Sequence, residues 1–334
     1  MIQISGVSIN LFKPVLQFLL NRWILLILLG FVLIFSLLQP RFFSIYNFQN
    51  IGLHTTEVLI LALGQTFVII SGGIDLSVGS VLGFSGITAS LVMKTLWLNM
   101  YNPILSIGLG IIAGLTAGTV LGMMNGLLIV RLKVPPFIAT LGMLGIARGG
   151  TYLLTAGASV VDLPPQLVIL GSSKILGFLP IPILIALILA IVAHFLLSQT
   201  PFGRHTYAMG GSRRAASRAG IAIDKHTVLI YAFSGLLAAV SGVLVVARFV
   251  TGSPLAGAND ELNSIAAVVI GGASLFGGTG NIFGSVAGAL IIGVLLVGLI
   301  VVNVQPYWQM VAVGIILVLA VSVDQIRHRS KDEL

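Results

Sequence analysis

The sequence predicts an all-α polytopic membrane protein of about ten transmembrane helices, some of them interrupted. Composition is the first observation. Of 334 residues, 57% are hydrophobic and only 8% are charged, with a mean hydropathy of +1.12. Soluble domains carry roughly 25% charged residues, so a chain this poor in charge could not cover a water-facing surface and its solvent must be mostly lipid. Patterning is the second observation, because the apolar residues fall into long runs divided by short polar joints. The third is the 40 glycines, which suit helices packed backbone to backbone in a membrane. A net charge of +8 would fit a nucleic-acid partner, but the basic residues cluster in loops as a membrane topology requires, so no nucleic acid is expected. The absence of cysteine excludes disulfides, thiolate metal ligands and cysteine nucleophiles.

The first span, 23–38, follows Lys13 and Arg22. It reads as an uncleaved helix, because Leu38-Gln39-Pro40-Arg41 follows it where a signal peptide would have a small-x-small cleavage site. Nine further spans are expected at 55–70, 78–96, 103–130, 136–154, 179–197, 228–249, 262–276, 282–302 and 307–323. Several are shorter than the ~20 residues a straight crossing needs, and the flanking glycine-rich joints are expected to supply the remainder. Ten spans put both termini on one side. With that side cytoplasmic, Lys13, Arg22, Arg131, Lys133, Arg204, Arg213, Arg214, Arg218, Lys225, Arg327, Arg329 and Lys331 fall inside. Only Arg41, Lys94, Lys174 and Arg248 fall outside, which is a positive-inside bias. Trp23, Trp97, Tyr101, Tyr307 and Trp308 stand at span ends, where amphipathic rings favour the headgroup region. The tail Lys331-Asp332-Glu333-Leu334 imitates a retrieval signal read in a lumen, but this topology places it on the cytoplasmic side, so it reads as coincidence.

In the fourth span, Gly110, Gly114, Gly118, Gly122 and Gly126 recur every four residues and make one smooth helix face. The face reads as a closely packed core helix, with a subunit interface as the other option. Between spans two and three, Ser71-Gly72-Gly73-Ile74-Asp75-Leu76-Ser77-Val78-Gly79-Ser80 breaks the helix at membrane depth, where irregular backbone survives only if buried in protein or lining a wet cavity. Asp75 either caps the following helix or faces a hydrated path. A second break lies at Gly271-Gly272-Ala273-Ser274-Leu275-Phe276-Gly277-Gly278-Thr279-Gly280. Two registers relate the breaks, one pairing Gly72 and Gly79 with Gly277 and Gly284, the other pairing them with Gly271 and Gly278. Paired interrupted helices point to a transport path. Gln65, Ser77, Asn125 and Thr140 are further candidates to line it, together with Arg148, which stands roughly 18 Å into the fifth span at helical rise. Glu57 lies at a compatible depth and is the expected partner of Arg148, in a pair that locks helices or lines the passage.

No catalytic constellation and no metal site is legible. There is no Gly-x-x-x-x-Gly-Lys-Ser/Thr, no His-Glu-x-x-His and no Gly-x-Ser-x-Gly, and the glycines from Gly278 miss the dinucleotide spacing by one residue. The most polar stretch, 199–226, carries Arg204, Arg213, Arg214, Arg218 and Lys225 between two apolar spans. It reads as a docking surface, with Ser212 as N-cap of a short helix over 213–219 and Gly220 as its terminator. Ala215, Ala216 and Ala219 are expected on one approachable face, beside the i, i+4 pair Arg214 and Arg218.

The segment Ala62-Leu63-Gly64-Gln65-Thr66-Phe67-Val68-Ile69-Ile70 with the first break resembles the signature of permease subunits of bacterial sugar ATP-binding-cassette importers, the ribose-permease branch related to branched-chain amino-acid permeases. The resemblance continues at Pro136-Phe137-Ile138-Ala139-Thr140-Leu141-Gly142 with Arg148-Gly149, through 200–221, and at Ile265-Ala266-Ala267-Val268-Val269-Ile270-Gly271-Gly272. It implies one transmembrane permease domain over 1–334 with a type II-like importer fold and a cytoplasmic coupling loop at 198–227. It also implies a bacterial inner-membrane homodimer or a pair with a paralogous permease, in contact with lipid, a cytoplasmic ATPase and a periplasmic sugar-binding protein. This chain would bind no cofactor, ATP and Mg belonging to the ATPase. The resemblance assigns coupling to Thr200, Phe202, Gly203, Arg204, Gly210, Gly211, Ser212, Arg214, Ala215, Ala216, Arg218, Gly220 and Ile221. Ser212 departs from the Asn common there, but both residues can cap a helix. The competing reading is an ion-coupled secondary transporter of a small polar solute, with Asp75 or the Glu57–Arg148 pair handling the ion. A third, a membrane scaffold without transport, leaves the interrupted helices unexplained.

Overall fold

The computed structural model describes residues 23–332, so Lys13, Arg22 and the last two residues of the Lys-Asp-Glu-Leu tail lie outside the described residues. Its helices are α1 (Trp23–Leu38), α2 (Ile45–Ile70), α3 (Val78–Leu98), α4 (Pro103–Arg131), α5 (Pro136–Thr155), α6 (Val168–Ser172) and α7 (Ile181–Gln199). After them come α8 (Pro201–Gly211), α9 (Arg213–Arg218), α10 (Ile223–Phe249), α11 (Asp260–Ile270), α12 (Ile282–Val301) and α13 (Pro306–Asp332). A small antiparallel hairpin, β1 (Lys174–Ile175) with β2 (Leu179–Pro180), precedes α7.

Each of the ten expected spans contains a helix, but they are not ten crossings of equal kind. Seven (α2, α3, α4, α5, α7, α10 and α12) are long and apolar enough to cross a membrane. Helices α1 and α13 carry shorter apolar stretches, Ile24–Leu38 and Pro306–Ser322. The expected span at 262–276 is corrected by α11, whose 11 residues rise about 16 Å, roughly half of a ~30 Å hydrocarbon core. The reason is local. Asn259 leads into α11 at φ 70° and Gly272 leaves it at φ 89°, so the left-handed residues fix both ends. Residues 271–276, which hydropathy alone assigned to the span, belong to the turn beyond it.

Helices α2 and α10 form the centre. Every residue of α2 from 58 to 70 is buried, and α10 packs along α2, α3 and α4. Helix α12 covers another side of α2 and carries α1 and α11 against it, while α5 leans on α3 and α4. The glycine ladder is the buried face of α4: apart from Ser106, Asn125 and Ile129, all its buried residues are the five glycines. A β-carbon at Gly114 would stand 2.8 Å from the Ser85 carbonyl oxygen, and one at Gly126 would stand 2.6 Å from the Val228 Cα. The ladder thus seats α4 on α3 and α10 within one chain. On the side away from the basic stretch, Val160 and Gly252 exchange backbone hydrogen bonds of 2.8 and 2.9 Å, which tie the 156–180 loop to the strap leading into α11.

Gly118→Val is expected to strike Ser85, Ala239 and the Gly235 carbonyl together. Overpacking of this kind costs about 1–3 kcal/mol or more, so the amount of folded protein in the membrane should fall, measured by detergent-extracted monodisperse yield. Gly108→Val on the same helix, where the added carbon meets nothing within 4 Å, should leave the yield unchanged.

Candidate functional site: two helix breaks and the basic stretch

The first break closes before it turns. Gly72 at φ 81° terminates α2, with its amide donating to Ile69 O (2.9 Å) and the Gly73 amide to Val68 O (2.9 Å). This left-handed ending satisfies carbonyls that would otherwise be stranded. The chain then folds back beside α2, where the Gln65 amide donates to the Asp75 carbonyl. Asp75 Oδ1 accepts from the Ser77 amide (2.9 Å) and hydroxyl (2.6 Å), and Oδ2 accepts from Ser234 Oγ on α10 (3.0 Å). Asn125 Nδ2 on α4 donates to Ser77 Oγ (2.9 Å), and Thr140 Oγ1 on α5 donates to Ile74 O (3.2 Å). Asp75 therefore takes an amide beside the start of α3, that of Ser77, just before the first turn.

Gln65, Asp75, Ser77, Asn125 and Thr140, proposed from sequence as path residues, all converge on this break. They are also sealed, at 0–1% exposure. In this conformation they hold α2, α4, α5 and α10 around the turn, and no solute could touch them from a surface. Three atoms here have no partner: Gln65 Oε1, Asn125 Oδ1 and Tyr231 Oη. Gly73 is small because a β-carbon there would lie 2.5 Å from the Tyr231 hydroxyl.

The second break repeats the ending of the first. Gly272 at φ 89° donates to Val269 O (2.9 Å) and Ala273 to Val268 O (3.1 Å), so residues 268–273 match residues 68–73. Neither sequence register is the structural one throughout. The Gly72–Gly271 register is one residue off at the helix ends, and the Gly79–Gly284 register is one residue off at the following helix starts, capped at Ser77 and Asn281. The two registers compete because the second turn is longer. In this match Leu275 stands where Asp75 stands, and the missing carboxylate comes from elsewhere. Asp324 Oδ2 on α13 accepts from Ser274 Oγ and from the Leu275 amide, both at 3.1 Å.

The breaks touch. The Gly278 amide donates to Ile70 O (2.9 Å), and Thr66 and Ser285 share a hydroxyl hydrogen bond of 2.7 Å. Helix α8 lies across this junction. Any β-carbon on Gly210 would collide with Ile70 O and the Gly278 amide, and Tyr207 Oη donates to Gly280 O (2.7 Å). Burial pushes the Tyr207 phenol above its usual pKa, so it remains a donor.

The basic stretch is two helices. Ser212 Oγ accepts from the Ala215 amide (3.3 Å) and starts α9, while Gly220 at φ 84° ends it, with Ile221 N donating to Ala216 O (3.1 Å). Residues read as loop before it form α8, opened by Thr200 and Pro201. Phe202 makes tilted ring contacts with Phe67 and His226 (5.7 and 4.6 Å between centroids), and Gly203 sits against the Leu197 carbonyl. Arg204, Gly211, Arg214, Ala215, Arg218 and Ala219 are exposed. The expected shared alanine face is corrected, because Ala216 is 4% exposed and turned inward, leaving only Ala215 and Ala219 of the three exposed.

The Glu57–Arg148 pair is also corrected. Glu57 Oε1 pairs with Arg248 on α10 at 3.1 Å, whereas Arg148 donates to Pro254 O (3.0 Å) and Ala256 O (2.9 Å). Helix α2 packs directly on α10, so Glu57 meets the last turn of α10, and Arg148 on α5 reaches the strap before α11. Arg248, read from sequence as one of the outside charges, is the partner that Glu57 takes. Tyr207, Ser234 and Asp324 were also missed. Asp324 had a signal, as a lone carboxylate at the end of an apolar span; Tyr207 and Ser234 had none.

A helical bundle with two interrupted helices meeting beside a basic, helix-capped surface defines a multi-pass membrane permease component. The chain belongs to the family described as "Branched-chain amino acid transport system / permease component", whose model matches residues 47–321. It is 39% identical over 313 residues to the "Ribose import permease protein RbsC" of Haemophilus influenzae, covering 92% of this chain and 94% of that one. It is 40% identical over 296 residues to the Bacillus subtilis protein of the same name, covering 88% and 89%. Identity to the "D-allose transport system permease protein AlsC" of Escherichia coli is 36% over 297 residues, covering 88% of each. No solved structure matches.

The revised pairing has a direct test. The Glu57–Arg248 pair is partly buried, between exposed pairs worth about 0–1 kcal/mol and buried ones, where removing one member costs about 3–5 kcal/mol and replacing both by apolar groups recovers much of it. Arg248→Met should therefore lower thermal stability in detergent, and the double variant Arg248→Met with Glu57→Leu should regain most of the loss. Adding Glu57→Leu to Arg148→Met should give no such recovery.

Proposed function

We propose that this chain forms the translocation path for a monosaccharide, ribose or a similar pentose or hexose, in an ATP-binding-cassette importer. A periplasmic binding protein delivers the sugar, and a separate ATPase holding ATP and Mg drives the cycle. Two copies, or this chain with a paralogous permease, sit in a bacterial inner membrane with both termini and α9 on the cytoplasmic side. The observation that carries the reading is α9 itself. It is a capped helix presenting Arg214, Arg218, Ala215 and Ala219 outward, mounted on a second helix that lies across both breaks. The relatives named for ribose and allose support the sugar class and favour an importer permease over an ion-coupled carrier. The polar interior gives no support to ion coupling either, since Glu57 is engaged by Arg248 and Asp75 is hydrogen-bonded through both oxygens.

Co-reconstituted with its cognate ATPase and binding protein, the permease should take up labelled sugar only with ATP, and should ignore imposed proton and sodium gradients. Ala219→Trp, on the outward face of α9, should reduce uptake by about tenfold or more, equivalent to some 1.4 kcal/mol of docking free energy, without changing membrane abundance. Normal uptake in Ala219→Trp would rule out docking through this face; uptake independent of ATP would rule out the importer reading as a whole.

A further inference from the structure

We propose that α8 is a transmission strut that moves both helix breaks as one body, with Tyr207 and Gly210 as its positioning residues. The inference rests on the ATPase-driven reading above and names the contacts through which the drive would travel. Ser212 alone separates the last residue of α8 from the first of α9, so displacement at α9 reaches α8 without an intervening loop. At its N-terminal end α8 is anchored: the Phe202 ring contacts those of Phe67 and His226, and Thr206 Oγ1 shares a hydrogen bond of 2.9 Å with His226 Nε2. At its C-terminal end, next to α9, it meets both breaks in one turn. Gly210 has no side chain, so its backbone lies directly on the Ile70 carbonyl and the Gly278 amide, the two groups that join the breaks. One helical turn earlier, Tyr207 reaches across and donates to Gly280 O, just before the Asn281 cap of α12. The second break is then held on one side by Asp324 and on the other by Tyr207, and the first is held to it through Gly278. A push on α9 therefore cannot shift one break and leave the other behind. The joint between α2 and α3 and the joint between α11 and α12 are coupled mechanically at the point where energy enters.

The test uses the full complex of permease, cognate ATPase and binding protein in proteoliposomes. Tyr207→Phe keeps the ring and removes only the donor to Gly280. It should lower sugar taken up per ATP hydrolysed by about tenfold, with membrane abundance and ATPase rate retained. The chain has no native cysteine, so spin labels can be placed at Ala208→Cys and Thr279→Cys, both exposed, without competing sites. With Tyr207 intact, the label distance should be a single narrow distribution in nucleotide-free and ATP-trapped states; with Tyr207→Phe it should broaden or shift between them. Gly210→Ala should act in the same direction by wedging α8 from the junction. Unchanged uptake per ATP and an unchanged distance in Tyr207→Phe would overturn the strut. So would a parallel fall in uptake, ATPase rate and abundance, which would mark Tyr207 as structural support only. Uptake by the unmodified complex without ATP would instead overturn the importer reading.

Discussion

The hydrogen bond from the Gly278 amide to the Ile70 carbonyl is the constraint on which the rest depends. A membrane helix can be interrupted only if its freed backbone groups find partners, because lipid supplies none. Two interruptions placed apart would each need a complete set of partners. Placed together, they share this bond across the chain. The glycines follow from that proximity: a side chain at 210 would force α8 off the pair. Gly72 and Gly272 allow the left-handed endings that return the remaining amides to their own helices.

Carboxylates complete the closure, by two routes to one result. The first break holds its own, in Asp75, which binds Ser77 within the turn and Ser234 across it. The second has Leu275 at that position and borrows Asp324 from α13. A local acid makes a self-contained joint, whereas a borrowed one makes the joint depend on where α13 sits. The second break is also the one that Tyr207 reaches.

Much of this was legible in sequence, for identifiable reasons. Apolar runs locate the helices because lipid imposes a length and composition that few other environments do. The cap at Ser212 and terminator at Gly220 were legible because they are local backbone chemistry. What failed was distance in three dimensions. Glu57 was recognised as needing a cation, but depth alone could not choose between Arg148 and Arg248, since only packing shows that α2 faces α10. Residues 271–276 are apolar enough to pass for the end of a span; the stop set by Gly272 is a dihedral angle that hydropathy cannot express. Ala216 shares composition with Ala215 and Ala219, and only the seating of α9 turns it inward.

The unsatisfied atoms around Asp75 bear on how such a structure can move. Gln65 Oε1, Asn125 Oδ1 and Tyr231 Oη are buried without partners, and each such atom costs about 1–3 kcal/mol. A network with every group satisfied would be a deep minimum, and leaving it would require breaking several bonds at once. This network holds its carboxylate through both oxygens but leaves neighbouring atoms unpaired, so it is not such a minimum. The chain thus joins α2 and α10 twice, by the Glu57–Arg248 ion pair towards one end and by the Asp75 hydrogen bonds beside the first break.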